Sequence, residues 1–507
     1  MHHSDCRTSF CVQATFIGIT ATLAMTALPV AAHTPVPGLV LAPDPAGISG
    51  TYNTKGGIDT DSPFFQSLGR NGRSCSTCHL THQAMTFRPD HARQLYERTD
   101  GKDPLFASVD GANCPEVSAA DRAGHSLILR NGLIRIGLPV PINAQYSISV
   151  VHDPYGCALR IDPKTGLLTA SVYRRPLPTA NLSFLSAVMF DGRETVAPLS
   201  AESTFANNLR TDLAHQAADA TTGHAEASAP PSDATLQAIV DFELALFTGQ
   251  YADRKAGRLD DDGASGGPLN LAAQDYYPGM NDSLGADPFG RAFTPVSMTL
   301  YTRWATQPAG VEEEREVGGH GEHSAARANI AAGEKLFNTL PITITNVRGL
   351  NDNPKLGKPT AFVGHCATCH DTPNVGNHSL PLPLDIGTGH TANPNFESDP
   401  SIAAAVGELS VADLPVFLIS GCPNPFNPGQ PESFYTTDPG KALISGQCGD
   451  FNRVKGPILR DLAARAPFFH NGSANSLLEV VNFYNQRFDM GLTSRQKRQL
   501  VAFLNAL

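Results

Sequence analysis

Two five-residue stretches constrain this chain more than any other feature: Cys75-Ser-Thr-Cys78-His79 and Cys366-Ala-Thr-Cys369-His370. In each, two thiols stand one helical turn apart and an imidazole follows the second directly, the spacing of covalent c-type haem attachment. The thiols can form thioethers with the two vinyl groups of a porphyrin while the histidine lies beneath the iron as its proximal ligand. The competing reading is one zinc ion held by Cys75, Cys78, Cys366 and Cys369 as four thiolates. Zinc would not require a histidine after each pair. The sequence therefore predicts two covalently bound haem c groups, with His79 and His370 on the metal.

The start of the chain supports that reading. Arg7, the charge-free apolar run Phe16–Val30 and the small residues Val30-Ala31-Ala32 predict a cleaved export signal over 1–32, with the mature chain beginning near His33. Haem is attached to this motif outside the bacterial cytoplasm, so the predicted location is the periplasm. No other stretch reaches the roughly 20 apolar residues of a membrane span. Of the ten cysteines, Cys6 and Cys11 fall in the signal and four in the haem motifs. Cys114, Cys157, Cys422 and Cys448 remain, and in an oxidising compartment they predict two disulfides. Three pairings are open; one pair per domain favours Cys114–Cys157 and Cys422–Cys448. The net charge of -11 argues against a nucleic-acid partner and favours a basic one, such as a small cytochrome.

In chain order, residues 33 to about 60 read as an arm rich in Pro, Gly and Thr. Ser62-Pro63 caps a helix toward Leu68 that feeds the first motif. Ser126–Leu129 and Ile134–Val140 are open between helix and strand. The apolar run from Asn181 ends in the polar turn Asp191-Gly-Arg193-Glu194. Leu209 and Leu213 fall on one face of a helix that carries Gln216 and Ala217 and stops at Gly223. A second helix is predicted from Asp233 to Phe247. Asp260-Asp261-Asp262-Gly263 lacks the alternation of a calcium loop and reads as a solvated turn. Ser324 caps a helix to Phe337, and Ser476-x-x-Glu479 and Thr493-x-x-Gln496 are capping boxes. The predicted fold is mainly α: two cytochrome c-like domains with long loop insertions, over 33–306 and 324–507, joined by a linker at 307–323.

On these motifs the chain resembles the bacterial di-haem cytochrome c peroxidase and MauG superfamily. The carriers are the two haem motifs, Asp191-Gly-Arg193, and the stretch from Leu459-Arg460 through Pro467-Phe-Phe-His470-Asn-Gly472 to Glu479-Val-Val. The resemblance implies that hydrogen peroxide reacts at the first haem and that the second relays electrons from a small soluble cytochrome c or cupredoxin. It places a Gln and, ten residues later, a Glu over the peroxide face, a spacing that Gln216 and Glu226 match, with His224 as a rival distal base. Several relatives hold a calcium ion between the domains, and a homodimer is compatible with the sequence.

Two positions depart from the family pattern. Phe190 stands where relatives carry a tryptophan between the haems, and Trp304 is the only tryptophan in the chain. Gly456 stands where many relatives carry the methionine ligand of the second haem. His470, His378 and His390 then compete as its sixth ligand, His470 first because it lies in the signature stretch. Beside the peroxidase, the sequence leaves open a MauG-like oxidase of a protein, a di-haem oxygenase and a non-catalytic electron carrier.

Overall fold

In the computed structural model, which describes residues 36–196, 202–305, 320–391, 400–424 and 431–507, the leading arm is a hairpin of β1 (Leu39–Pro43) and β2 (Gly47–Asn53). The predicted export signal and positions 307–319 of the predicted linker lie outside these residues. Asp44 builds the hairpin turn: its Oδ1 accepts from the amides of Ala46 at 2.6 Å and Gly47 at 2.8 Å, the local bond that suits Asp to turns. The further strands are β3 (Ile134–Pro139), β4 (Ser147–His152), β5 (Leu159–Ile161), β6 (Leu168–Arg174), β7 (Leu246–Asp253), β8 (Gly257–Arg258), β9 (Ile342–Ile344), β10 (Phe362–Gly364), β11 (Val416–Pro423) and β12 (Pro431–Thr436). They form antiparallel sheets in the orders β1-β2-β7-β8, β3-β6-β5, β12-β11-β4 and β10-β9.

The helices are α1 (Pro89–Thr99), α2 (Ser126–Asn131), α3 (Glu202–Gly223), α4 (Asp233–Glu243), α5 (Gly267–Ala272), α6 (Thr302–Ala305), α7 (His320–Thr339), α8 (Pro400–Gly407), α9 (Ala442–Ser445), α10 (Leu477–Arg487) and α11 (Ser494–Asn505). With 32% helix and 17% strand the fold is mixed α/β, which corrects the expectation of a mainly α pair of cytochrome c-like domains. The strands escaped because they are short and find partners far along the chain. β11 pairs with β4, setting Ile419 opposite Ile148. No local pattern announces such a pairing.

Several boundaries shift for the same reason. Leu246 and Phe247, expected to end a helix, instead open β7, opposite Asn53 and Tyr52 of β2. The helix expected after Ser62 shrinks to one 3-10 turn, Pro63–Phe65, although Ser62 does cap it. Helix α7 starts before Ser324. Of the two expected C-terminal boxes the one at Thr493 closes, its Oγ1 accepting from the Gln496 amide at 3.3 Å; at Ser476 only the cap forms, Oγ accepting from the Glu479 amide at 3.2 Å while Glu479 Oε2 accepts from the Asn475 amide at 2.8 Å. Helix α11 lies so close to α7 that a Cβ on Gly333 would strike the Gln499 carbonyl. Around that crossing Tyr301, Trp304, Phe337 and Phe503 form a core. The disulfides are Cys114–Cys157 and Cys422–Cys448. No helix among the described residues is long and apolar enough to cross a membrane.

Contacts gather Pro37–Leu507 into one compact unit, and one buried ionic clamp ties its distant parts. Arg174, the last residue of β6, donates to both carboxylate oxygens of Asp438 at 2.6 and 2.9 Å and also bonds Asp191. All three side chains are fully buried. Removing one partner of such a group leaves an uncompensated charge in the interior, which costs about 3–5 kcal/mol. Asp438→Ala should lower the unfolding free energy by that amount in denaturant titration. A loss below about 1 kcal/mol would mean that the clamp is solvated.

Candidate functional site

Each Cys-x-x-Cys-His motif folds as a single tight turn. In the first, the amides of Cys78 and His79 both donate to the Cys75 carbonyl, at 3.2 and 3.1 Å; in the second, Cys369 and His370 do the same to Cys366, at 3.2 and 3.0 Å. The turns are capped alike, Thr77 Oγ1 accepting from the Ser74 amide and Thr368 Oγ1 from the His365 amide. Two thiols and an imidazole thereby face one direction in each motif. The four cysteines form no disulfide, and burial pushes each thiol up to about 12. They are neutral at physiological pH. The motifs open on different cavities, and no metal-sized cluster among the described residues contains a cysteine. Four-thiolate zinc is therefore not what this fold assembles.

The imidazoles are held in one tautomer. His79 Nδ1 lies 2.9 Å from the Met85 carbonyl and His370 Nδ1 lies 2.7 Å from the Gly376 carbonyl. A carbonyl only accepts, so each Nδ1 carries the proton and each Nε2 keeps a free lone pair, as a metal-ligating histidine requires. Burial, opposed by the bond to Met85, lowers His79 to about 4, and His370 is lowered in the same way. Both rings are neutral at pH 7.

The first cavity, with about 1570 Å³ free of protein atoms, is lined by Cys75, Cys78 and His79 and by Gln216, Ala217 and Thr221 of α3. His224, just beyond α3, also lines it, with Nδ1 bonded to Asp110. Arg73 bonds the other oxygen of Asp110. Burial favours the neutral acid, but Arg73 and His224 hold the Asp110 carboxyl below its usual range. Glu226 stands apart from these. Its side chain does not line the cavity, and its Oε2 accepts from Asn71 Nδ2 at 3.3 Å. The loop is pinned by the bond from the Arg70 amide to Ala225 at 2.9 Å, and the adjacent Gly69 leaves no room for a Cβ against that carbonyl.

The second cavity, about 1850 Å³, is lined by Cys366, Cys369, His370, His378, His470, Gly456 and Met490. The ring nitrogens of His470 are buried and make no hydrogen bond. His378 Nδ1 accepts from the Leu380 amide at 3.3 Å, which leaves its proton on Nε2. His390 does not line this cavity, and its Nε2 lies 3.1 Å from Asp385. His470 and His378 thus line the second cavity and His390 does not, and His470 Nε2 lies 3.5 Å from Asp438 Oδ2. Met490 also lines this cavity.

A single wall separates the cavities. Arg175, Pro176, Leu177, Pro178, Phe190, Lys455, Pro457 and Arg465 line both. Phe190 thus stands between them, whereas Trp304 is stacked on Tyr301 in the α7–α11 core. Three cations in this wall lack a carboxylate partner among the described residues. Arg175 donates to the carbonyls of Gly132 and Phe87, Arg465 to that of Ile458, and Lys455 reaches only the carbonyl of Gly456, at 3.5 Å. Burial, reinforced by repulsion from Arg465, lowers Arg175 to about 9 and Lys455 to about 8. Buried charges are ordinarily paired, so the wall calls for anionic ligand groups reaching it from the cavities. Haem propionates would meet that demand.

Glu243 and the wall cations are site groups that sequence reading missed. Glu243, at the end of α4, lines the first cavity with a buried, unpartnered Oε2, and burial alone raises it to about 8. A charged residue in an amphipathic helix reads as a surface position, and only its register on the buried face could have hinted otherwise. The acidic run behaves as an ion-paired turn, Asp260 bonding Arg258 and Asp262 bonding Arg327.

No protein-family model matches the chain. Over 151 residues it is 33% identical to the cytochrome-c peroxidase IdrP2 of Denitromonas iodatirespirans, covering 28% of this chain and 36% of that protein. The same-named protein of Pseudomonas sp. (strain SCT) is 30% identical over 149 residues, covering 28% and 35%. Cytochrome-c peroxidase IdrP1 of that strain is 25% identical over 156 residues, covering 28% and 36%. The chain thus matches about a third of the length of these relatives, a distant cytochrome c peroxidase-like relationship. Among solved structures, hydrazine synthase of Kuenenia stuttgartiensis aligns over 80% of this chain and 87% of its own at 14% identity with a TM-score of 0.28, too loosely to indicate a common fold.

The Glu243 carboxyl supplies a pH test. Its folded pKa lies above its unfolded value of 4.5, so the folded state holds a proton that the unfolded state has lost. Stability then falls as pH rises from about 4.5 to about 8, by roughly 1.4 kcal/mol per unit. Glu243→Gln should be increasingly more stable than the parent across that window in urea titrations. A difference independent of pH would contradict the assignment.

Proposed function

We propose that this chain is an exported di-haem c-type peroxidase. It reduces hydrogen peroxide at a haem held by Cys75, Cys78 and His79, with electrons passed through a second haem held by Cys366, Cys369 and His370. The first group belongs to segment 33–306 and the second to segment 324–507. The observation that carries this reading is the repeated geometry of the two motifs, each a capped turn presenting two neutral thiols and an imidazole with its Nε2 bare. The cytochrome c peroxidase-like relationship supports the reaction class. The two disulfides suit an oxidising compartment, and the net charge of -11 suits a basic cytochrome or cupredoxin as donor.

When bound, the haems supply iron that exchanges single electrons, and the protein supplies position and protons. His79 and His370 offer Nε2 as proximal ligands. Arg175, Lys455 and Arg465, which line both cavities, would hold the carboxylates of the haems. On the peroxide side, O–O cleavage needs a group that takes a proton from one oxygen and returns it to the other. His224 fits: donating Nδ1–H to Asp110 leaves Nε2 able to accept, as in other carboxylate-oriented imidazoles. The Gln216 amide orients the peroxide. Two electrons and two protons then convert one peroxide into two waters. Glu226, outside the cavity lining, acts at most on the loop that carries His224.

Intact mass of the exported protein should show two haem additions, and the Cys75→Ala/Cys78→Ala double variant should lose one. In rapid mixing with peroxide, His224→Gln should slow the reaction by ~10²-fold or more, with a much smaller effect of Glu226→Gln. The reverse ranking would hand the acid–base role to Glu226. Unchanged rates in both would remove this loop from the chemistry.

A further inference from the structure

Beside the second motif lies a cluster that the peroxidase reading does not use. Asp371 directly follows His370, His378 comes seven residues later, and Asp282 enters from the loop after α5. One donor atom from each side chain lies within 4.8 Å of the other two. Asp282 and Asp371 are 0% exposed and His378 is 4% exposed. We propose that Asp282, Asp371 and His378 bind a divalent transition-metal ion of the manganese or zinc class.

The hydrogen bonds explain why. Asp282 uses Oδ2 to accept from the amides of Leu284 at 3.0 Å and Ala286 at 2.7 Å, while its Oδ1 is buried without a partner. Asp371 uses Oδ1 to accept from the Ser379 amide at 2.7 Å, while its Oδ2 is equally buried and unpartnered. Each carboxylate is therefore oriented through one oxygen and presents the other to the cluster. Oδ2 of Asp371 lies 3.6 Å from His378 Nδ1, whose lone pair now accepts only the long bond from Leu380. No Lys or Arg forms an ion pair with either carboxylate among the described residues. Two unpaired carboxylates buried side by side repel, and a divalent cation between them removes that repulsion while filling their empty valences. The ligand set selects the ion: an imidazole beside two carboxylates suits zinc or manganese, whereas calcium and magnesium take oxygen donors.

This site goes beyond the peroxidase reading, and the two fail separately, since thioether-bound haem iron survives chelation. The chelator-treated, haem-loaded protein is equilibrated with MnCl2 or ZnCl2, desalted and analysed for elements, with iron as an internal measure of haem. About one manganese or zinc per chain should be retained and should raise the melting temperature. Asp282→Asn and Asp371→Asn should each lose the bound ion and the thermal shift. Where one variant fails to fold, the other and the parent decide. A parent that retains neither metal, a folded variant that retains it fully, or preferential retention of calcium from CaCl2 would overturn the proposal. The first of these results would leave a proton shared by the two carboxylates as the account of the cluster.

Discussion

Three buried cations, Arg175, Lys455 and Arg465, make no ion pair among the described residues and sit in the wall that both large cavities share, an arrangement on which the candidate site depends. A protein does not bury unpaired charge without compensation. Here most carboxylates nearby are already engaged: Asp191 and Asp438 hold Arg174, and Asp110 holds Arg73. What remains for the wall is a ligand that brings its own negative charge. Its two faces are served by two motifs whose thiols and imidazoles are set for one kind of group. The wall thus links the haem reading of the sequence to the packing of the fold.

The clamp around Arg174 adjoins this wall through Asp191, the neighbour of Phe190. Asp191, the first residue of the Asp-Gly-Arg turn, is joined through Arg174 to Asp438, more than two hundred residues along the chain. Phe190 precedes Asp191, and its carbonyl accepts from the Lys455 amide at 2.7 Å. Phe190 is therefore fixed between the cavities by the same network that holds a wall cation. Phenylalanine is hard to oxidise, so under the di-haem proposal Phe190 would not serve as a hopping station. Its ring lies 6.0 Å from that of His470, which faces the second cavity.

The site was more legible in the sequence than the fold. Cys-x-x-Cys-His is a local signal, because turn, thiols and ligand all lie within five residues. The caps at Ser476 and Thr493 were equally local, whereas counting cysteines left three pairings open and only one pair per domain favoured the two that form. What escaped depends on distance along the chain. β4 gains its meaning only from β11, and β7 only from β2. Arg175, Lys455, Arg465 and Glu243 look like surface residues until the fold encloses them. Glu226, matched to a family position by spacing alone, has its side chain bonded to Asn71.

The most direct measurement is rapid-mixing absorption spectroscopy of the haem-loaded protein, reduced by one electron and then given one equivalent of hydrogen peroxide. The account predicts two spectrally distinct haems, one of which is high-spin and changes at once with peroxide while the other then gives up its electron. Two low-spin haems that both ignore peroxide would contradict it and leave an electron carrier.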